Sequence, residues 1–133
     1  MSIDKIGSDK EKRRFKRLRA NLSITYRIDK PINVRMMIGN REIRSTMVDL
    51  SEGGLSLLTD YDVPPLSDLF IKFTLFKVED EDVSFYGPME IIGEVIYNTP
   101  FGSNEYRLGI RFKTISKEDK TEIGNFIKAT KIP

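Results

Sequence analysis

The sequence predicts a mainly β protein in which six or seven short antiparallel strands form a barrel or a sandwich, followed by one α-helix. Three observations lead to this prediction. Apolar and polar residues alternate with period two in several segments, clusters of Gly, Pro and Asn separate these segments, and helical spacing of apolar residues occurs near the C-terminus. The chain has 133 residues, which is the size of one domain rather than two.

The strands follow from the alternation. In residues 22–28, Leu, Ile and Tyr alternate with Ser, Thr and Arg, a pattern typical of a half-buried strand. Pro31 and Gly39-Asn40 mark turns, and a short strand is expected between them at residues 33–38. The other expected strands are residues 43–50, 55–59, 68–77, 89–98 and 105–113. The residues expected to point inward from the strand at 89–98 are Met89, Ile91, Val95 and Tyr97.

An acidic run separates two of these strands. It consists of Glu79, Asp80, Glu81 and Asp82. Together with Gly87-Pro88, the run predicts the loop at the tip of a long hairpin. Neighbouring carboxylates also occur in metal sites and acid/base centres, but a run of like charges is more often a solvated loop, and we interpret it so.

The C-terminal segment carries the signals of a helix. Ser116 and Asp119 have the spacing of a capping box, in which the N-cap side chain and the third helical residue satisfy each other's backbone amides. Ile123, Phe126 and Ile127 then form one narrow apolar stripe. Because Gly124 weakens the helix and the stripe is narrow, we expect the helix to lie on the body of the protein.

The composition excludes several classes of site. The chain contains no Cys and no His, which removes disulfides, thiolate nucleophiles, imidazole bases and most ligand sets for zinc, copper or haem. It contains neither GxxxxGK[ST] nor GxGxxG, and no nucleophile–base pair stands at a defensible spacing, so we expect no enzyme. No apolar window of about 18 residues and no signal-peptide core are present, so we expect no membrane span and a cytoplasmic location.

The charge is unevenly distributed. The net charge of the chain is +2, but residues 10–19 contain seven basic residues and one acid and therefore carry +6. The rest of the chain carries −4. A mildly acidic body with a basic arm at its N-terminus favours an anionic ligand. The arm is rich in Arg, which favours bidentate recognition of phosphate or of a base edge.

Two motifs are candidates for binding. Arg13 and Arg17 form RxxxR within the arm, and Asp49, Ser51 and Gly54 form DxSxxG where an expected strand ends. In this order, and followed by the strand YRLGIRF and a capped helix, they resemble the PilZ domain family, bacterial receptors for cyclic di-GMP. The resemblance covers about residues 11–128. It implies a six-stranded antiparallel β-barrel with one C-terminal α-helix and a basic N-terminal arm.

The resemblance also implies an organisation of the chain. We expect a flexible tail at residues 1–10, a PilZ-like domain at 11–128 and a short tail at 129–133. Within the domain, the arginine arm occupies residues 11–19, the barrel 21–113 and the helix 116–128.

Each candidate residue has a role in this interpretation. The family implies that Arg13 and Arg17 contact phosphate and guanine, and that Asp49 and Ser51 hold one guanine on the barrel surface. A carboxylate complements the N1–H and N2 amino donors of guanine, and Gly54 permits positive φ and close approach of a flat ring. The remaining candidates are Arg14, for phosphate or stacking, and the secondary residues Lys12, Gly53 and Arg111. Phe15 is expected to anchor the arm on the barrel.

The resulting hypothesis is a receptor that binds one cyclic di-GMP or a stacked pair. The arm, mobile when free, folds over the barrel on binding, and the changed surface signals in trans to a protein partner that no residue identifies. The alternative from another class is a small β-barrel that binds RNA or single-stranded DNA through its basic arm. We disfavour that alternative because most strand aromatics fall on the inward face and the body is acidic. A PilZ-like module that has lost its ligand is a third interpretation, disfavoured because both motifs are complete.

Overall fold

The structure, a computed structural model, describes residues 18–130, with side chains given from residue 22 onward except at Glu79. The described residues form six strands and two helices. The strands are β1 (Leu18–Lys30), β2 (Ile43–Leu50), β3 (Gly54–Thr59), β4 (Asp68–Glu79), β5 (Asp82–Phe101) and β6 (Glu105–Thr114). The helices are α1 (Ile32–Ile38), between β1 and β2, and α2 (Lys117–Ala129), after β6.

The six strands close into a barrel in the order β1-β2-β3-β6-β5-β4, and every neighbouring pair is antiparallel. Closure pairs strand edges that an open sheet would expose. The alternation predicted from the sequence fills the interior, because every second side chain of each strand points inward. Ile24, Met47, Leu57, Ile71 and Ile110 are among the buried inward residues. The predicted mainly β fold with one C-terminal helix is therefore confirmed.

The β4–β5 hairpin is longer than predicted. β5 has 20 residues and includes Gly87-Pro88, which the sequence predicts to lie in the loop. The turn itself consists of Asp80 and Glu81, between paired residues Glu79 and Asp82. The sequence pattern underestimates the hairpin because residues 82–88 are mostly exposed, and the alternating burial of β5 starts only at Met89.

The predicted strand at residues 33–38 is wrong, since these residues belong to helix α1. Pro31 begins the helix and its carbonyl accepts hydrogen bonds from the amides of Val34 and Arg35, both at 3.1 Å. Gly39 ends it with a φ of 119°. Only Val34 is fully buried, and Ile38 packs partly buried against the core four residues later. Two inward positions with this spacing fit a strand as well as a helix, so the sequence pattern did not distinguish them.

Helix α2 forms as predicted. The amide of Asp119 donates to the Ser116 hydroxyl at 3.0 Å, which caps the first turn. The buried stripe lies against the barrel, where the Phe126 ring meets Tyr86 edge to face at 5.4 Å. At the other end of the helix, Lys77 donates to the carbonyl oxygen of Ala129 at 2.7 Å. Neither helix of the described residues is long and apolar enough to span a bilayer.

Tyr26 provides a test of barrel packing. Its hydroxyl and that of Thr59 lie 2.8 Å apart in the barrel interior, and burial raises the pKa of Tyr26 to about 12. Below the ordinary value of 10.0 the hydroxyl is protonated in both folded and unfolded states. Between that pH and about 12 the unfolded chain binds fewer protons, so we expect Tyr26 to lower the free energy of unfolding as the pH rises.

Urea unfolding across this alkaline range, compared with Tyr26→Phe, measures the contribution. The variant should lose about 1 kcal/mol at neutral pH through the missing hydrogen bond, but its stability should fall less steeply above pH 10.0. Equal alkaline slopes in the two proteins would contradict the burial assigned to this hydroxyl.

Candidate functional site

The DxSxxG motif forms the turn between β2 and β3. The Ser51 amide donates to the carbonyl of Gly54 at 2.8 Å, and the Ser51 hydroxyl donates to the same carbonyl at 3.2 Å. The Gly53 amide donates to the Ser51 hydroxyl at 3.3 Å, while the Gly53 carbonyl accepts from the Phe112 amide at 2.9 Å. Because Ser51 is buried, its hydroxyl shapes the turn from within.

Gly54 is required for a different reason from the one expected. Among the described residues the glycines with positive φ are Gly39, Gly87 and Gly102, so neither Gly53 nor Gly54 uses that freedom. A Cβ on Gly54 would instead lie 2.1 Å from the carbonyl oxygen of Ile110 in β6. Glycine at this position lets β3 pass directly against β6, which fixes the turn to the barrel.

Asp49 lies on the outer face, at the end of β2, in a small polar network. Its Oδ2 accepts from Nη2 of Arg107 at 2.9 Å, and the same nitrogen donates to the Ser56 hydroxyl at 3.3 Å. The Asp49 side chain is 13% exposed and that of Arg107 39% exposed. Arg107 Nε is buried without a hydrogen-bond partner among the described residues. Arg107 therefore holds the carboxylate in place while its guanidinium remains partly open to solvent.

An aromatic ring lies beside this network. Tyr97 is 39% exposed, so the prediction that it points inward is wrong. The β5–β6 register shifts between Val95 and Tyr97, and this irregularity turns Tyr97 to the outer face. Its ring rests on Gly109, where a Cβ would lie 2.0 Å from Cε2 of the ring. Gly109 pairs with Ser56, and Ser56 pairs with Asp49, so small residues separate the ring from the carboxylate.

From the sequence, Arg107 and Arg111 share the outward face of the last strand and are both possible secondary contacts, whereas Tyr97 was missed. Arg111, the secondary candidate, pairs with Gly54 across β3 and β6 and forms an ion pair with Glu94. It therefore lies at the border of the turn and already has an acidic partner. The signal for Arg107 was its outward parity on the last strand, whereas nothing in the local sequence announces the bulge that reorients Tyr97.

The arginine motif lies outside the described residues. Lys12, Arg13, Arg14 and Arg17 all precede Leu18, where β1 begins. Strand β1 begins earlier than expected, because it includes Leu18 and Arg19 of the predicted arm. In the β1–β2 register, Leu18 pairs with Leu50 and Arg19 with Asp49.

The site offers hydrogen-bonding groups and an aromatic surface on a rigid barrel wall. A carboxylate, a guanidinium, backbone of a tight turn and a tyrosine ring suit a ligand that is both polar and flat. Within residues 18–130, no group of three or more Asp or Glu side chains is placed to hold a metal ion.

Comparison with known proteins identifies related folds. The family model of the PilZ domain matches residues 11–129. A comparison with curated proteins gave no match. Among solved structures, the chain is similar to the inhibitor of motility MotI/DgrA of Bacillus subtilis, at 16% identity and a TM-score of 0.65, over 89% of this chain and 50% of that one.

A second similar structure is the PilZ domain of YcgR from Escherichia coli with c-di-GMP, at 18% identity and a TM-score of 0.55, over 89% of this chain and 90% of that one. A longer YcgR structure in complex with c-di-GMP aligns at 17% identity and a TM-score of 0.58, over 89% of this chain and 45% of that one. The chain thus spans about half the length of MotI/DgrA and of the longer YcgR chain. Since the family model covers both motifs, the whole barrel and helix α2, the chain belongs to the PilZ domain family.

Proposed function

We propose that this protein is a non-catalytic receptor for cyclic di-GMP that acts in the bacterial cytoplasm and signals to a partner protein. The observation that carries the proposal is the β1–β2 register. Asp49 pairs with Arg19, and RxxxR ends at Arg17, the residue just before β1. We therefore expect two motifs that are far apart in sequence to lie near the same end of two neighbouring strands.

The ligand chemistry agrees with this placement. The Asp49 carboxylate accepts hydrogen bonds from N1–H and the N2 amino group of one guanine, while Arg13 and Arg17 fork onto phosphate oxygens or onto O6 and N7. Arg14 supplies a further phosphate or stacking contact, and Lys12 adds positive charge. Ser51, Gly53 and Gly54 shape the turn on which the base rests, and Arg111 contributes at its border.

Two residues found in the structure extend the site. Asp49, Ser56, Gly109 and Tyr97 follow one another across β2, β3, β6 and β5. Three strand spacings, about 14 Å, separate Asp49 from Tyr97 along the barrel wall. Tyr97 thus offers a stacking surface for a second base. Arg107 holds in place the Asp49 carboxylate, which binds the first base.

The proposal agrees with the similar structures. YcgR is described in complex with c-di-GMP, and MotI/DgrA as an inhibitor of motility. We infer by analogy that the output of this protein is contact with a protein partner, with motility or biofilm regulation as the expected pathway. One ligand or a stacked pair fits the arm, whose net charge of +6 exceeds the four negative charges of two ligands.

Isothermal titration calorimetry tests the receptor function. The full chain should bind cyclic di-GMP saturably, GTP weakly and a short single-stranded oligonucleotide not at all, and the stoichiometry separates one ligand from a pair. Arg13→Ala and Arg17→Ala should each lose about 1.5–3 kcal/mol of binding free energy per charged hydrogen bond removed. Lys16→Ala is the matched control, because it removes one positive charge from the same arm at a variable position between the two motif arginines.

The outcomes separate the alternatives. Unchanged affinity in Arg13→Ala or Arg17→Ala would refute the site, and an equal loss in Lys16→Ala would indicate diffuse electrostatics. Salt-sensitive binding of the oligonucleotide without heat from cyclic di-GMP would instead establish the nucleic-acid alternative.

A further inference from the structure

The outer part of the β4–β5 hairpin carries an exposed apolar face. Phe76 pairs with Phe85 and Val78 with Val83, so the four side chains stand together on one side of the ribbon. The two rings lie 6.4 Å apart. Their exposed fractions are 46% for Phe76, 69% for Phe85, 58% for Val78 and 48% for Val83. We call these four residues the hairpin face.

This face is the side of the hairpin that helix α2 leaves uncovered. On the opposite side, Leu75 is buried, Tyr86 packs on Phe126 and Lys77 bonds the end of the helix. The described strands give this part of the hairpin no further neighbour, since β4 pairs with β1 only as far as Lys72 and β5 with β6 only from Ile92. Contiguous exposed apolar side chains of this kind often mark a contact site.

The charge beside the face limits the choice of partner. Asp80, Glu81 and Asp82 are exposed at the tip of the ribbon, and Glu79 precedes them in sequence. A segment that covers the hairpin face must therefore combine an apolar side chain with positive charge. In this chain, residues 10–17 have that composition, with Phe15 between pairs of basic residues.

The path of β1 delivers this segment to the hairpin. Thr25 pairs with Lys72 and Ile28 with Leu69, so each step from Thr25 toward Leu18 corresponds to a step toward the tip of β4. At constant register Leu18 would stand opposite Glu79. Although the two strands separate beyond Thr25, both run to the same end of the barrel. Phe15 lies three residues before Leu18, a reach of about 10 Å when extended, which corresponds to about two strand spacings.

A second copy of the chain fits less well. The exposed part of the four side chains amounts to roughly 400 Å², whereas a stable interface buries about 800 Å² on each partner. Two hairpins would also bring two acidic tips into one interface. An intramolecular segment needs less area because its local concentration is high.

From these observations we propose that the hairpin face is the docking surface of the chain's own basic arm in the free protein, in place of the mobile free arm expected from the sequence. Phe15 packs between Phe76 and Phe85, and the neighbouring basic residues meet the acidic tip. The next step rests on the proposed function. Cyclic di-GMP binds the arm at Asp49, which uncovers the hairpin face, and a partner protein then recognises the exposed face.

Paramagnetic relaxation tests the docking in the full chain. Because the chain has no cysteine, Ser8→Cys gives a single position for a nitroxide label. Without ligand at low salt, the amide signals of Phe76 and Phe85 should weaken about twofold or more relative to the reduced label, and recover at 1 M salt, where the screening length falls to about 3 Å. Saturating cyclic di-GMP should also restore them.

Matched variants show which groups hold the arm. Phe15→Ser, Phe76→Ser with Phe85→Ser, or Asp80→Asn with Glu81→Gln and Asp82→Asn should each abolish the broadening. Phe101→Ser removes an equally exposed aromatic from the far end of β5 and should leave it unchanged. All replaced residues of the barrel are exposed, so folding is retained, which a thermal melt verifies.

Three results would overturn the proposal. Full signal intensity in the free chain would show that the arm does not dock, whether or not calorimetry finds cyclic di-GMP binding. Broadening of an unlabelled chain by spin-labelled copies would assign the hairpin face to a dimer. Broadening that persists at saturating ligand, in a chain shown by calorimetry to bind it, would refute displacement of the arm.

Discussion

Replacing Gly54 by alanine should lower the free energy of unfolding by about 2–4 kcal/mol and abolish binding of cyclic di-GMP. The new Cβ would lie 2.1 Å from the Ile110 carbonyl oxygen, a backbone atom within a paired strand. Because both atoms of this clash are fixed by the backbone, no rotamer change relieves it, and β3 must move away from β6. That movement breaks the pairing of Gly54 with Arg111 and pulls on the turn that holds Ser51 and Asp49.

Gly109→Ala is the informative control. There the new Cβ would meet the ring of Tyr97 at 2.0 Å, and that ring is a partly exposed side chain that can rotate away. We expect a smaller loss, about 1 kcal/mol, that largely disappears in the double variant Gly109→Ala with Tyr97→Ala. Urea unfolding measures both. A Gly54→Ala protein within about 0.5 kcal/mol of the parent would show that β3 and β6 are not held as closely as described.

The strands of the barrel could be predicted because burial imposes a period of two on them. Alternate residues of one strand point into the same core, as in Leu69, Ile71 and Phe73 of β4 and in Leu108 and Ile110 of β6. The pattern is therefore local and repeated. Prediction failed where a few residues decide the outcome. Helix α1 buries only Val34, and one bulge after Val95 turns Tyr97 outward. Neither event leaves a periodic trace in the sequence.

The candidate site shows the same division. The motif identified Asp49, Ser51 and Gly54, since their spacing is local, but not the reason that Gly54 must be glycine. That reason is the nearness of Ile110, which lies 56 positions further along the chain and is set by the β3–β6 register. The pairing of Asp49 with Arg107 likewise depends on strand order rather than on neighbouring residues. Motif spacing therefore identifies the turn in the sequence, but it does not identify the distant residues that support the turn.

Asp49→Ala should weaken the binding of cyclic di-GMP by about 3–5 kcal/mol, because it removes both acceptors for one guanine edge and leaves Arg107 without its carboxylate. Asp49→Asn keeps the shape and one acceptor and should retain part of the affinity. Calorimetry measures the binding, and circular dichroism melts confirm that both variants fold.

Arg107→Ala decides whether Arg107 acts through Asp49 or touches the ligand itself. If it only positions the carboxylate, its removal should cost about 1–2 kcal/mol in the parent protein and almost nothing in the Asp49→Ala background. If its partly exposed guanidinium binds a phosphate, the two losses should add. The bond from Arg107 to Asp49, and the second bond from the same nitrogen to Ser56, favour the positioning role. Additive losses in the double variant would reassign Arg107 to direct contact with the ligand, because a positioning residue has nothing left to hold once the carboxylate is gone.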